Sequence, residues 1–402
     1  MFKSLSLKVI LFGFIFTFFS SFGQSFFIGL FNNSIRSELS ISHGQFGSIY
    51  ASATLLSSLV LIWIGKKIDD MSAFKFSLFV IVLFSFASYF FSTIKIVPLL
   101  FVGIFLLRLS GQGLMSHTSS TTVSRYFEKT RGRALSISWF GLSTAEFILP
   151  VFIVFLLTVT SWQNIWISIS LVLIIFLPII SFVLIKNVTL ETRENSLVTK
   201  NIRKKIKQWK RVEVLKDYRF YIISLNMLAM PSIATGVFVY QSFILSSKNW
   251  GPFVIAQSFM VYSVMSVITL TVACFLIDKF SSRRLLIFMN IPLFLSAVIL
   301  AKFNSELSSF VLFAFVGITN GLANVLGSST WAEIYGVKVI GSIKALSTSL
   351  MVFATASGTA IFGILIDYGL SINQIAVYSA LYIASCFLIL FFVRNKLEPT
   401  YL

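Results

Sequence analysis

The sequence predicts an all-α membrane protein: twelve transmembrane helices arranged as two six-helix repeats of parallel orientation. Three observations lead there. The 402 residues are 57% hydrophobic and only 11% charged, with a mean hydropathy of +0.91, where a soluble domain carries roughly 25% charged residues. The apolar residues come in long runs; Val9–Phe31 and Phe76–Ile94 contain no charge. A shift of 209 residues, without gaps, brings polar and glycine positions of the first half onto the second.

A helix needs about 20 predominantly apolar residues to cross the hydrocarbon layer, because each adds about 1.5 Å of rise. Runs of that length are expected near 9–31, 45–65, 76–94, 98–122, 134–158, 164–185, 219–245, 253–276, 285–301, 308–331, 343–366 and 374–393. The first follows Lys3 and Lys8, lacks a small-residue cleavage site and is longer than a secretory signal, so it reads as a retained span. The connections are short except for a polar segment that contains the run Arg203–Lys207. The expected organisation is a bundle over 1–190, a basic linker over 191–217 and a second bundle over 218–402.

Charge follows the same plan. The formal net charge is +18, which in a soluble protein would suggest a nucleic-acid partner. Here 27 of the 32 Lys and Arg residues fall in alternate connections that include the N-terminus. The others are Arg36, Lys95, Lys248 and Lys302 on the opposite side, and Arg108 within a span. Lys and Arg are retained on the cytoplasmic side, so both termini and the linker are expected there. The basic run is then a contact for anionic headgroups and not a nucleic-acid site. The partners expected are the bilayer, a small-molecule solute and protons, with the chain a monomer in a bacterial inner (plasma) membrane. Cys274 and Cys386 lie inside apolar runs without metal-ligand spacing. With no phosphate-binding loop, paired catalytic carboxylates or His/Cys cluster in the sequence, neither an ATP-driven pump nor an enzyme is expected, and no cofactor.

The 209-residue shift pairs Asp69 with Asp278, Ser72 with Ser281, and Lys75 with Arg284. It also pairs Ser119-Ser120-Thr121 with Ser328-Ser329-Thr330, Tyr126 with Tyr335, and Gly132 with Gly341. Two parallel six-span repeats that rock about a site near the midplane are one architecture of secondary transporters. The repeat predicts transport and leaves the solute open.

Specific motifs then point to a family. Gly65-Lys66-Lys67-Ile68-Asp69 resembles the loop motif after span 2 of the major facilitator superfamily. Cys274 to Asp278, followed by Arg283 and Arg284, resembles its second copy with Cys in place of Gly. Arg108 followed by Gly111-Gln112-Gly113 is similar to the span 4 motif, its spacing displaced by about one residue, and Ala332-Glu333-Ile334-Tyr335-Gly336 is similar to the loop after span 10. The resemblance implies that fold, alternating access, and a conformational latch formed by Gly65, Asp69, Asp278, Arg283 and Arg284. Two departures narrow it. Glu146 stands where the drug exporters of the family carry a motif proline. The general look is closer to the monocarboxylate and oxalate–formate groups, yet the expected span 8 lacks the basic residue those groups often use to hold a carboxylate.

Ionisable groups inside a span are expensive and therefore usually interior-facing and functional. Arg108 and Glu146 lie 20 and 18 residues from the loop centre at Glu128. Equal depth on consecutive spans predicts an Arg108–Glu146 ion pair, either as a fixed clamp or as a pair that Glu146 leaves to take up a proton or solute. His117, nine residues beyond Arg108, is a candidate relay or an ordinary hydrogen-bonded interior residue. Gln24, Tyr50, Gln112, Asn226, Tyr240, Gln241, Asn320 and Asn324 are candidates to line a cavity, against the alternative of interhelical hydrogen bonding. The function expected is proton-coupled secondary transport of a small organic solute. The alternatives are an uncoupled facilitator or exchanger of small organic anions and, more remotely, a membrane sensor.

Overall fold

A computed structural model describes residues 4–127, 131–186, 188, 209, 211–336 and 340–399. Among these, twelve helices are long and apolar enough to cross a membrane. Spans 1 to 6 are Leu5–Gly23, His43–Ile68, Ala73–Ser92, Val97–Tyr126, Arg133–Val159 and Trp162–Ile185. Spans 7 to 12 are Tyr218–Val239, Val254–Ile277, Ser282–Lys302, Glu306–Tyr335, Leu346–Asp367 and Ile372–Lys396. The chain packs as two compact units. One comprises Met1–Glu194 with Phe238–Phe243; the other comprises Asn195–Val237 with Ile244–Leu402. Most of the expected linker, including Arg203–Lys207, lies outside the described residues.

Serine marks several span starts. Ser42 and Ser371 form reciprocal capping boxes with Gln45 and Gln374, and Ser72 and Ser161 accept from the backbone three residues on. These side chains satisfy N–H groups that a helix start leaves unpaired. Pro98 sits in the first turn of span 4, and Pro292 in the first turn of the helix Ile291–Lys302 that resumes within span 9, where a missing N–H costs nothing.

Each unit pairs its helices in the same way. Span 2 packs on span 4 and span 3 on span 6; in the second unit span 8 packs on span 10 and span 9 on span 12. Serine pairs join the facing helices: Ser85 and Ser170 approach to 2.9 Å between spans 3 and 6, and Ser258 and Ser309 to 2.9 Å between spans 8 and 10. Span 1 lies on span 5, with Thr17 donating to Ser138 O at 2.5 Å and Gly141 against the carbonyl of Phe14. Span 7 meets span 11 where Gly358 faces the carbonyl of Ser232. Small residues let helix backbones approach where lipid offers no hydrophobic drive for association. The outward rows are apolar; Trp63, Phe275 and Phe392 are each more than 70% exposed, as lipid-facing side chains are.

Span 1 departs from the continuous helix expected over 9–31. Its α-helix ends at Ser20; a 3-10 turn covers Ser21–Gly23, Gln24 is extended (φ −85°, ψ 156°), and short helical pieces resume at Ser25. Phe27 and Phe31 pack on the fully buried Trp166 of span 6, with ring centroids 5.6 and 5.3 Å away, and hold the resumed segment in place.

Candidate solute and proton site

The break in span 1 faces an irregular part of span 4. Residues Arg108–Met115 are π-helical, a form that is rare and often found at functional sites. The displaced spacing between Arg108 and Gly111-Gln112-Gly113 falls inside this segment. An i→i+5 turn holds one residue more than an α turn. Gly23 and Gly111 stand back to back. A Cβ on Gly23 would lie 2.5 Å from Leu107 O, 2.6 Å from Gln112 N and 2.8 Å from Gly111 Cα.

Arg108 is only 2% exposed and bridges the break. Its Nη1 donates to Gly23 O at 3.1 Å and to Ser25 Oγ at 3.2 Å. The guanidinium carbon sits 5.3 Å from the centroid of the Tyr50 ring, whose hydroxyl donates to Ser25 Oγ at 2.9 Å. Cation–π attraction of this kind strengthens when the pair is shielded from water. Tyr50 is therefore in the site; Gln24 and Gln112, both half-buried, flank it at the break and in the π segment.

The Arg108–Glu146 ion pair expected from equal depth is not formed. Glu146 is buried, at 8% exposure, yet the guanidinium of Arg108 makes its contacts with spans 1 and 2. Depth fixes position along a helix and says nothing of azimuth. Span 5 packs along span 1 and meets span 4 on its last helical stretch, Ser116–Tyr126, while the π segment around Arg108 packs on spans 1, 2 and 3. The two buried charges thus belong to one unit without neutralising each other.

His117 lies toward the loop after span 2. Its Nε2 is 3.2 Å from the Gly65 carbonyl; a carbonyl only accepts, so Nε2 carries the hydrogen. This bond ties span 4 to span 2. Asn226 donates to Leu286 O at 3.3 Å and accepts from Asn290 Nδ2 at 3.0 Å, and Asn320 donates to Ser266 Oγ at 2.9 Å. Both act as links between helices of the second unit. Asn324 is exposed. Tyr240 and Gln241 lie in the short segment that packs with the first unit: Tyr240 donates to His43 O at 2.9 Å and Gln241 to Phe26 O at 3.0 Å.

The sequence profile of the Major Facilitator Superfamily matches residues 13–256, more than half of the chain. The chain belongs to this superfamily. Solved structures of the superfamily fold are similar over its length. A bacterial homolog of the human lysosomal transporter Spinster matches at TM-score 0.74 and 12% identity, covering 100% of both chains. The nucleoside transporter NupG matches at TM-score 0.71 and 13% identity, covering 98% of this chain and 100% of that one. A D-xylose–proton symporter matches at TM-score 0.71 and 15% identity, covering 98% of each. At these identities the likeness concerns the fold. No curated protein matches the chain in sequence.

The superfamily loop motifs have partners within their own units. After span 2, Asp69 pairs with Arg125 at the end of span 4, and Arg125 Nη1 also donates to Ile68 O at 3.1 Å. After span 8 the polarity is reversed. Glu333, near the end of span 10, accepts from Ser282 N (3.0 Å), Ser282 Oγ (2.6 Å) and Arg283 N (3.3 Å), and its second oxygen lies 3.1 Å from Arg283 Nε. Arg283 also reaches Glu398 at 3.3 Å, while Arg284 is exposed. The Asp278 side chain lies outside what is described; its backbone is helical. Arg125 and Glu333 are the motif partners; the sequence named Glu333 only within the motif Ala332–Gly336 and did not single out Arg125. Their signal was available: the repeat shift maps Ser124 onto Glu333, so the two span ends carry opposite charges one position apart.

The opposite face has a second such contrast. Glu38 accepts from Trp162 Nε1 and Gln163 Nε2, both at 2.7 Å. Lys248 instead donates to Phe303 O (3.0 Å), Asn304 Oδ1 (2.8 Å) and Asn373 Oδ1 (2.7 Å).

Proposed function

We propose that this chain is a proton-coupled secondary transporter that moves a small organic solute by alternating access. The observation that carries this reading is the pair of buried, mutually unpaired ionisable side chains in one unit, Arg108 and Glu146. Charged groups inside a membrane protein are costly and mark solute and proton pathways. A carboxyl group that is buried with no cation in ion-pairing range among the described residues is suited to carry a proton in one stage of a cycle and release it in another. In this reading Glu146 is that carrier, and Arg108 with Ser25 and Tyr50 meets the solute. His117 serves as a link between spans 2 and 4, because its N–H is committed to Gly65. The loop motifs with Gly65, Asp69, Asp278, Arg283 and Arg284 form the conformational latch, Arg125 and Glu333 being their partners. A nucleoside transporter and a xylose–proton symporter among the similar structures support secondary transport in general. The asymmetry of Lys and Arg supports a plasma-membrane orientation with both termini cytoplasmic, and in this reading one copy of the chain does the work.

Proteoliposomes holding a pH-sensitive dye test this reading. A transported solute should carry protons with it, and an imposed pH gradient should drive its accumulation. Uptake that moves no protons and ignores the gradient would leave a facilitator in its place.

A further inference from the structure

Arg108 and Ser25 hold donors that no acceptor among the described residues meets. The guanidinium carries five N–H groups in a rigid plane. Nη1 is committed to Gly23 O and Ser25 Oγ. Nε is buried and has no partner, and Nη2 makes no hydrogen bond among the described residues. Those two nitrogens form one edge of the plane, with parallel N–H bonds at the spacing of the two oxygens of a carboxylate.

Ser25 adds to the same set. A hydroxyl has two acceptor positions and one hydrogen. Both acceptor positions of Ser25 Oγ are filled, by Tyr50 Oη and by Arg108 Nη1, and its own hydrogen has no acceptor among the described residues. No carboxylate lies within 4.0 Å of the guanidinium among the described residues. The nearest groups that face it from spans 1 and 2 are a carbonyl, a hydroxyl and an aromatic ring. A buried cation of this kind lacks a counter-charge, and a buried donor without a partner costs a large part of its desolvation.

We propose that a planar carboxylate of the solute completes this site, held by two parallel bonds to Arg108 Nε and Nη2 with Ser25 Oγ as a third donor, so that the transported solute is a small carboxylate. The proposal rests on the reading of Arg108 as the solute-facing cation. Tyr50 is a positioning residue, since it holds Ser25 and lies against the guanidinium without offering the anion a donor of its own.

Equilibrium binding and thermal unfolding of the purified full chain test it at one fixed pH, with no gradient present. The probes are pyruvate, succinate and benzoate, their primary amides, inorganic phosphate and sulfate, and the neutral solutes uridine and xylose. At least one carboxylate should raise the melting temperature and bind about tenfold or more tightly than its amide, the loss expected for bonds to a charged group. Arg108→Lys keeps the charge and removes the fork; it should lose about tenfold or more of that affinity. Ser25→Ala should weaken carboxylate binding and lower the melting temperature of the free protein, because the Tyr50 hydroxyl and Arg108 Nη1 lose their shared acceptor. The acid-versus-amide comparison uses the native chain and so does not depend on whether the Arg108 variant folds. Equal binding of acid and amide, tighter binding of the tetrahedral anions, unchanged carboxylate affinity in Arg108→Lys, or no binding by any carboxylate overturns the proposal. Because no proton gradient enters, these results stand apart from the test of proton coupling.

Discussion

Arg108 donates through Nη1 to the carbonyl oxygen of Gly23, 3.1 Å away, and so satisfies the backbone group that the break in span 1 sets free. Irregular backbone at membrane depth persists only where protein groups or a cavity satisfy it. Span 1 is held open by a side chain from span 4, and the close approach of the two backbones depends on glycine. Gly23→Ala should therefore destabilise the protein by about 1–3 kcal/mol or more, the cost of forcing an extra methyl into a packed site. Gly65→Ala offers the control. A Cβ there would meet the His117 ring at 3.5 Å, an ordinary contact, and its effect should stay within about 0.5 kcal/mol. Thermal unfolding of the two variants in one detergent makes the comparison; equal effects would mean that the span 1–span 4 contact is not tight.

The two loop motifs should differ in strength. The Asp69 and Arg125 side chains are 61% and 32% exposed, and solvent screens a pair of this kind to about 0–1 kcal/mol. Glu333 and Arg283 are 23% and 18% exposed, and Glu333 also takes two backbone N–H groups and the Ser282 hydroxyl. Glu333→Ala should cost about 1–3 kcal/mol, the penalty for leaving such donors unmet, and Asp69→Ala less than about 1 kcal/mol. Melting curves in which Asp69→Ala is the more damaging change would contradict this ranking.

Much of this architecture is legible in the sequence. Span positions follow from run length, and the same helix pairings in both units follow from the duplication that Asp69 and Asp278 reveal. The break at Gln24 was not legible, because Val9–Phe31 has neither charge nor proline to interrupt it. Gly23-Gln24-Ser25 is the only local sign. The Arg108–Glu146 pair failed for a different reason: spacing along two helices gives their depth, while packing against span 1 sets which way each side chain points. The role of Lys248 is not legible in sequence, since its three acceptors lie 55 to 125 residues away, two in the connection after span 9 and one in the first turn of span 12.

That lysine makes a prediction of its own. Lys248→Met should destabilise the second unit by about 1–3 kcal/mol, because the carbonyl of Phe303 and the amide oxygens of Asn304 and Asn373 lose their common donor. Burial lowers the Lys248 pKa from its ordinary value of 10.5. Between the lowered native value and 10.5 the unfolded chain binds more protons than the folded one, so stability from this group rises with pH through that window and falls as pH drops through the native value. Unfolding followed at rising alkaline pH should show a smaller gain in the Lys248→Met protein than in the native one. Identical pH slopes would contradict the assignment.

Glu146→Gln isolates the part Glu146 plays by holding the side chain permanently in a neutral form. The direct measurement is solute uptake into proteoliposomes, run once as exchange without a gradient and once with an imposed pH gradient, using the carboxylate that binds the native chain. If Glu146 carries the coupled proton, the variant keeps exchange, which needs no net proton release, and loses accumulation driven by the gradient. Full gradient-driven accumulation by the Glu146→Gln protein would remove Glu146 from the coupling mechanism.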